Sequence, residues 1–127
     1  MMRVLIAEDD SDNLYLAQKI LTAAGYTVLL ARNGEEAVQL ALAERPSLVI
    51  MDLYMPVLSG FEAICQIRER VGDSLPILAL TALAFPDDRE RALSIGANGY
   101  LSKPYLPGDL RSTVQALTAV QHTNESC

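Results

Sequence analysis

The run Leu48-Val49-Ile50-Met51 constrains the fold of this chain more than any other stretch. It is short, wholly apolar and rich in β-branched residues, so it reads as a strand buried on both faces. It ends on a carboxylate, Asp52. Pro56 and the Ser59-Gly60 pair then turn the chain out of the strand and into a loop. Asp52 is therefore expected at the C-terminal mouth of a buried strand, where open α/β sheets bind their ligands. A single acid there can equally be a helix cap, and the remaining strand ends decide between the two.

Comparable apolar runs recur at Val4 to Ala7, Thr27 to Ala31, Ile77 to Leu80 and Asn98 to Leu101. A helical pattern follows each. Ser11 or Asp12 can cap the first helix, whose apolar positions Leu14, Ala17, Leu21 and Ala24 lead to Gly25. Asn33 with Glu36 resembles a capping box opening a second helix up to Pro46, and Ser59 with Glu62 another opening a third towards Gly72. A fourth starts near Pro86-Asp87 and ends at Gly96, and Pro107 opens a fifth with Leu110, Val114 and Leu117 on one face. Cys65 falls with Phe61 and Ile64 on the expected apolar face of the third helix. Met51 and Met55 read as core filler.

Parallel neighbours need crossover connections, so five strands each followed by a helix imply an α/β fold, a five-stranded parallel (βα)5 sheet covered on both faces. Right-handed crossovers make it doubly wound, with order 2-1-3-4-5 the best fit to this size, although periodicity alone does not set the order. At 127 residues the chain is one domain, read as residues 1–121 with a polar tail at 122–127. A net charge of -6 opposes direct binding to nucleic acid or an anionic membrane. One histidine, two cysteines and no CxxC exclude a structural zinc site. No signal peptide or membrane span is visible, which points to the cytoplasm.

The strand ends carry complementary chemistry. Glu8-Asp9-Asp10 follows the first strand, Asp52 the third, Thr81-Ala82 the fourth and Ser102-Lys103-Pro104 the fifth. If strands one and three are neighbours, three or four carboxylates converge on one rim, at a cost of several kcal/mol unless protonation or a cation compensates. An all-oxygen cluster suits a hard cation such as Mg²⁺. A carboxylate can act as nucleophile towards phosphorus, with a divalent ion and a lysine neutralising the charge. Asp52 is the candidate nucleophile, Glu8 and Asp9 the metal-side acids, and Thr81 and Lys103 the clamps on phosphoryl oxygens. Asp10 and Asp12 can serve only the helix N-terminus.

Ile6-Ala7-Glu8-Asp9-Asp10, Met51-Asp52-Leu53-Tyr54-Met55-Pro56 through Gly60, Leu80-Thr81-Ala82 and Ser102-Lys103-Pro104-Tyr105 resemble the response regulator receiver domains of two-component signalling. The resemblance spans residues 3 to 121 and implies the flavodoxin-like receiver fold. It also implies a phosphoprotein that takes a phosphoryl group onto Asp52 from a histidine kinase or histidine phosphotransfer protein, with Mg²⁺ as cofactor. Glu8, Asp9, Asp52 and the backbone carbonyl of Tyr54 match the metal positions, with Asp9 the more direct ligand. Thr81 and Lys103 match the phosphate-contacting residues, Thr81 and Tyr100 the switch pair, and Lys103-Pro104 a bond that is cis in the family. Such a chain is no enzyme beyond catalysing its own phosphorylation and dephosphorylation, and its output is binding a downstream target protein. The short remainder after the last helix reads as a stand-alone receiver. A flavin-binding module would want a Ser/Thr/Gly-rich loop where Glu8-Asp9-Asp10 stands. An aspartate-nucleophile phosphatase would want an acid at Tyr54. Tyr54 and Leu83 are expected to flank the approach of hydrolytic water to an aspartyl-phosphate, or else to be plain surface residues, Tyr54 against a neighbouring loop.

Overall fold

The computed structural model describes residues 2–82 and 85–126, with side chains as far as residue 119. The elements alternate as β1 (Arg3–Ala7), α1 (Ser11–Ala23), β2 (Thr27–Ala31), α2 (Gly34–Glu44), β3 (Leu48–Asp52), α3 (Gly60–Val71), β4 (Ile77–Thr81), α4 (Asp88–Ser94), β5 (Gly99–Ser102) and α5 (Pro107–Ser126). All strand pairs are parallel and the sheet order is β2-β1-β3-β4-β5. The expected order is the observed one.

Strand periodicity divides the core into two layers. Leu5, Ala7, Val49, Met51, Ile77 and Ala79 face α2, α3 and α4, where Ala37, Ala41, Phe61, Ile64, Ile67 and Ala92 receive them. Val4, Ile6, Leu48, Ile50, Leu78 and Leu80 face Leu14, Ala17, Leu21, Leu110 and Val114 of α1 and α5. The three central strands β1, β3 and β4 are therefore apolar on both faces, and each fully buried Leu or Ile contributes roughly 1.5–3 kcal/mol. Met51 is wholly buried and Met55 packs against the core's edge, as filler.

Local details depart from the sequence pattern at four places. Asp10, rather than Ser11 or Asp12, caps α1, its carboxylate accepting the Asn13 N–H at 2.9 Å. β5 begins at Gly99 rather than Asn98, because Asn98 Oδ1 is occupied by the Ile77 N–H and Arg68 Nη2, each at 2.8 Å. α4 is a short helix from Asp88 to Ser94, with no side-chain cap from Asp87. Cys65 is exposed, since the face of α3 buried against the core is made by Phe61, Ala63, Ile64 and Ile67. Asn33 and Ser59 do cap α2 and α3, accepting the Glu36 and Glu62 N–H groups. Among the described residues no helix is long and apolar enough to cross a membrane.

Candidate functional site

The register of β1 against β3 pairs Ala7 with Met51, so the next residues, Glu8 and Asp52, leave the sheet side by side. The Glu8 N–H donates to Ala31 O at 3.0 Å, which carries the β1–β2 ladder one step further and fixes the direction of the acidic loop. Glu8 is 2 % exposed, whereas Asp9 is exposed. On the other flank Asp52 pairs with Leu80, one residue short of Thr81, which is fully buried. The Lys103 N–H donates to Thr81 O at 2.8 Å, holding the end of β5 against the end of β4. The Lys103–Pro104 peptide bond is cis. Four strand ends thus deliver Glu8, Asp52, Thr81 and Lys103 to one rim.

Two glycines hold the loop after Asp52 in place. The Gly60 N–H donates to Leu53 O at 2.9 Å, and a Cβ at residue 60 would stand 2.1 Å from Asp52 O. Only glycine lets α3 start this close to the phosphoacceptor candidate. A Cβ at Gly34 would likewise stand 2.1 Å from Leu58 O, so the start of α2 lies against the same loop. Between them Val57 has φ 71, within a tight turn closed by the Leu58 N–H on Pro56 O at 2.8 Å. A β-branched residue in this region carries strain of order 1–3 kcal/mol, and Val57 is 74 % exposed, so its side chain gains little burial in return.

The electrostatics follow from placing acids around one ammonium. Lys103 Nζ binds Glu8 Oε1 in a very short contact and stands 3.4 Å from Asp52 Oδ2, with all three side chains nearly buried. Burial raises the Glu8 pKa, and its hydrogen bond with Asp52 raises it further against the opposing pull of Lys103, to about 7. Burial pulls the Lys103 pKa down, but the hydrogen bond to Glu8 and the charge of Asp52 outweigh it, leaving a net rise. One buried cation therefore serves two buried carboxyls, and Glu8 titrates near neutral pH. Oxygens of Glu8, Asp9 and Asp52 all lie within 4.8 Å of one another. That donor set, carboxylates without sulfur or imidazole, fits Mg²⁺.

Tyr54 sits at this rim by its backbone, its N–H donating to Asp52 Oδ1 at 3.3 Å. Its side chain points to α4: the hydroxyl donates to Asp88 Oδ1 at 2.7 Å. Burial and the Asp88 carboxylate push the tyrosine pKa up to about 12, so the hydroxyl keeps its proton. The ring packs on Phe61 and Phe85 and is partly buried. Leu83 lies outside the described residues. Tyr100 on β5 is partly buried against the α2–α3–α4 layer of the core.

Sequence reasoning missed Asp88, a buried carboxylate that reads as an ordinary helix-start acid. It also missed the role of Arg68, whose guanidinium donates to Gly72 O, Leu75 O, Gly96 O and Asn98 Oδ1 and so ties α3 to the ends of β4 and α4. No local signal marks the Tyr54–Asp88 bond or the Arg68 bonds to Gly96 and Asn98, whose partners stand 34 and 28–30 residues away.

A parallel 2-1-3-4-5 sheet with an acidic cluster, a lysine and a buried hydroxyl at its C-terminal rim defines a phosphoacceptor class of signalling domain. Residues 4–115 match the family model of the response regulator receiver domain, and the chain belongs to that family. It is 42 % identical over 115 residues to an uncharacterised 14.6 kDa protein of Leptolyngbya boryana, covering 90 % of this chain and 88 % of that one. It is 39 % identical over 116 residues to the response regulator MprA of Mycolicibacterium vanbaalenii, covering 91 % of this chain but only 50 % of MprA, so it spans about half of that relative. The receiver domain of the sensor histidine kinase PA1611 from Pseudomonas aeruginosa, solved with a magnesium ion coordinated in its active site cleft, superposes with a TM-score of 0.86 at 36 % identity over 93 % of this chain and 98 % of that one.

Proposed function

We propose that this receiver domain accepts a phosphoryl group on Asp52 from the phosphohistidine of a histidine kinase or a histidine phosphotransfer protein. The observation that carries the proposal is the shared lysine. One buried ammonium contacts both Glu8 and Asp52, while Asp9 adds a third carboxylate oxygen within 4.8 Å. This arrangement has surplus negative charge waiting for a cation and for a phosphoryl group that Lys103 can grip.

Glu8, Asp9, Asp52 and the Tyr54 backbone carbonyl are the groups that would hold Mg²⁺, and the magnesium in the Pseudomonas receiver domain supports that choice. When bound, the ion neutralises charge on the phosphoryl oxygens and on the acids around them. An Asp52 carboxylate oxygen attacks phosphorus. The P–N bond of the donor breaks, its electron pair returns to the imidazole, and that nitrogen takes up a proton from solvent. Lys103 moves its contact from the carboxylates to a phosphoryl oxygen, and the Thr81 hydroxyl donates to another. Neither is consumed, so the domain turns over nothing but its own aspartyl-phosphate and is not otherwise an enzyme.

Movement of Thr81 towards the phosphoryl group opens space for Tyr100 and reshapes the surface of α4, β5 and α5, where a downstream protein binds. Work in the cytoplasm without direct nucleic-acid contact fits the acidic charge of this chain. The proposal is tested by incubating the protein with Mg²⁺ and acetyl phosphate and measuring intact mass. One added phosphoryl group is expected, absent in Asp52→Asn and in EDTA. Equal labelling of Asp52→Asn would contradict it.

A further inference from the structure

Beside the acidic rim, three rings and a guanidinium stand in a row. Phe85 and Tyr54 meet edge-on with centroids 5.9 Å apart, Tyr54 and Phe61 do so at 5.7 Å, and Arg91 lies 3.8 Å from the Phe61 centroid. A phenylalanine at 54 would serve that row as well as a tyrosine. The hydroxyl is there for something else: its bond to Asp88 Oδ1 at 2.7 Å.

Asp88 is the first residue of α4, is 4 % exposed, and has no lysine or arginine within ion-pair distance among the described residues. A carboxylate buried that far without a cation is held only by specific donors. It has two. Oδ1 accepts from Tyr54, and Oδ2 accepts from the Phe85 N–H at 3.2 Å, while the Asp88 N–H donates back to Phe85 O at 3.0 Å. The start of α4 and the segment before it are thereby fastened to one hydroxyl. That hydroxyl belongs to the residue whose own N–H lies 3.3 Å from Asp52 Oδ1.

Tyr54 is therefore a strut, with its backbone on the phosphoacceptor and its side chain on α4. We infer that the Tyr54–Asp88 hydrogen bond is a latch for the unphosphorylated state, with Asp88 a positioning residue that acts through Tyr54. The inference rests on the phosphoacceptor reading of Asp52. Thr81 closes β4 four residues before Phe85, and the latch would open as Thr81 drawn towards a phosphoryl group shifts Phe85 with it. Phe85 is tied through Asp88 to Tyr54, which stays with the loop after β3. A bond made in one state and broken in the other biases the population towards the first. This link ties the residue beside Asp52 to the start of α4, in addition to the contact of Tyr100 with the core.

The test is Tyr54→Phe, which keeps the ring row and removes only the donor, with Asp88→Asn and the double variant beside it. Amide spectra are recorded without phosphodonor, and wild type with Mg²⁺ and beryllofluoride, a phosphoryl mimic, supplies the switched end point. Peaks of Asp88 to Ser94 in unphosphorylated Tyr54→Phe should lie part of the way along the line from free to beryllofluoride-bound wild type. Phosphorylation by acetyl phosphate should quicken by roughly tenfold, the low end for losing a hydrogen bond to a carboxylate. The double variant should move no further than the stronger single one. A merely structural contact would lower the melting temperature and leave the peaks on the wild-type position or off that line, and this result overturns the latch. So does simple additivity of the two substitutions. If wild type itself fails to respond to beryllofluoride, the phosphoacceptor reading falls and takes the latch with it; if wild type responds and Tyr54→Phe stays put, the latch alone falls.

Discussion

Replacing Glu8 by glutamine removes one titration from the rim and keeps the shape of the side chain. In the folded protein the Glu8 pKa is raised from 4.5 to about 7, first by burial and then by its hydrogen bond with Asp52. A raised carboxyl pKa means that the folded state binds the proton more tightly than the unfolded chain does. The associated stability is complete below pH 4.5 and is lost as the pH climbs to about 7. At about 1.4 kcal/mol per pKa unit the loss is on the order of 3 kcal/mol. For a domain of this size that corresponds to about 12 °C in melting temperature. The assay is thermal and urea unfolding of wild type and Glu8→Gln in EDTA from pH 4.5 to 8. Glutamine mimics the protonated acid, so the two proteins should be similarly stable at the acid end, with the variant pulling ahead as the pH rises. Adding Mg²⁺ at pH 8 should narrow the gap by stabilising wild type, because only the ionised Glu8 serves a cation. A difference between the two proteins that stays constant across this pH range would refute the placement of Glu8 as a buried carboxyl with a raised pKa beside Asp52.

Gly60→Ala should cost about 3 kcal/mol in urea unfolding and impair labelling of Asp52, because its Cβ would stand 2.1 Å from Asp52 O. Asp10→Ala should cost about 1 kcal/mol through loss of the α1 cap, with labelling by acetyl phosphate retained. Thr81→Ala should still accept a phosphoryl group but should not show the amide shifts in α4, β5 and α5 that accompany it in wild type; wild-type shifts in the variant would remove Thr81 from the switch.

The fold was legible because its central strands are apolar on both faces and its punctuation is strong. Leu48 to Met51 could hardly be anything but a buried strand, and Gly25, Pro46 and Gly72 end helices where expected. The rim was legible because a parallel sheet sends all its strand ends to one side, so Glu8, Asp52, Thr81 and Lys103 needed only the correct strand order to meet. What the pattern could not reveal depends on which side chain wins a local contest. Asp10, Ser11 and Asp12 are all good caps, and the geometry of the turn after β1 selected Asp10. Asn98 looks like a strand residue until Arg68 and the Ile77 N–H claim its amide oxygen. The Tyr54–Asp88 bond joins residues 34 apart, and no local period encodes a contact at that distance. The division between neighbours, Glu8 buried with its pKa raised beside an exposed Asp9, likewise arises only once β2 and Lys103 close over the first of them.

The central claim is that Asp52, and not a neighbouring acid, takes the phosphoryl group. An acyl phosphate is reduced by borohydride to the corresponding alcohol, so treating the phosphorylated protein with borohydride and sequencing its peptides by mass reads the modified carboxyl directly. Homoserine at position 52 alone is the predicted result. Reduction at Asp9 or Glu8, or no reduced residue in protein that carries the added phosphoryl mass, would contradict it.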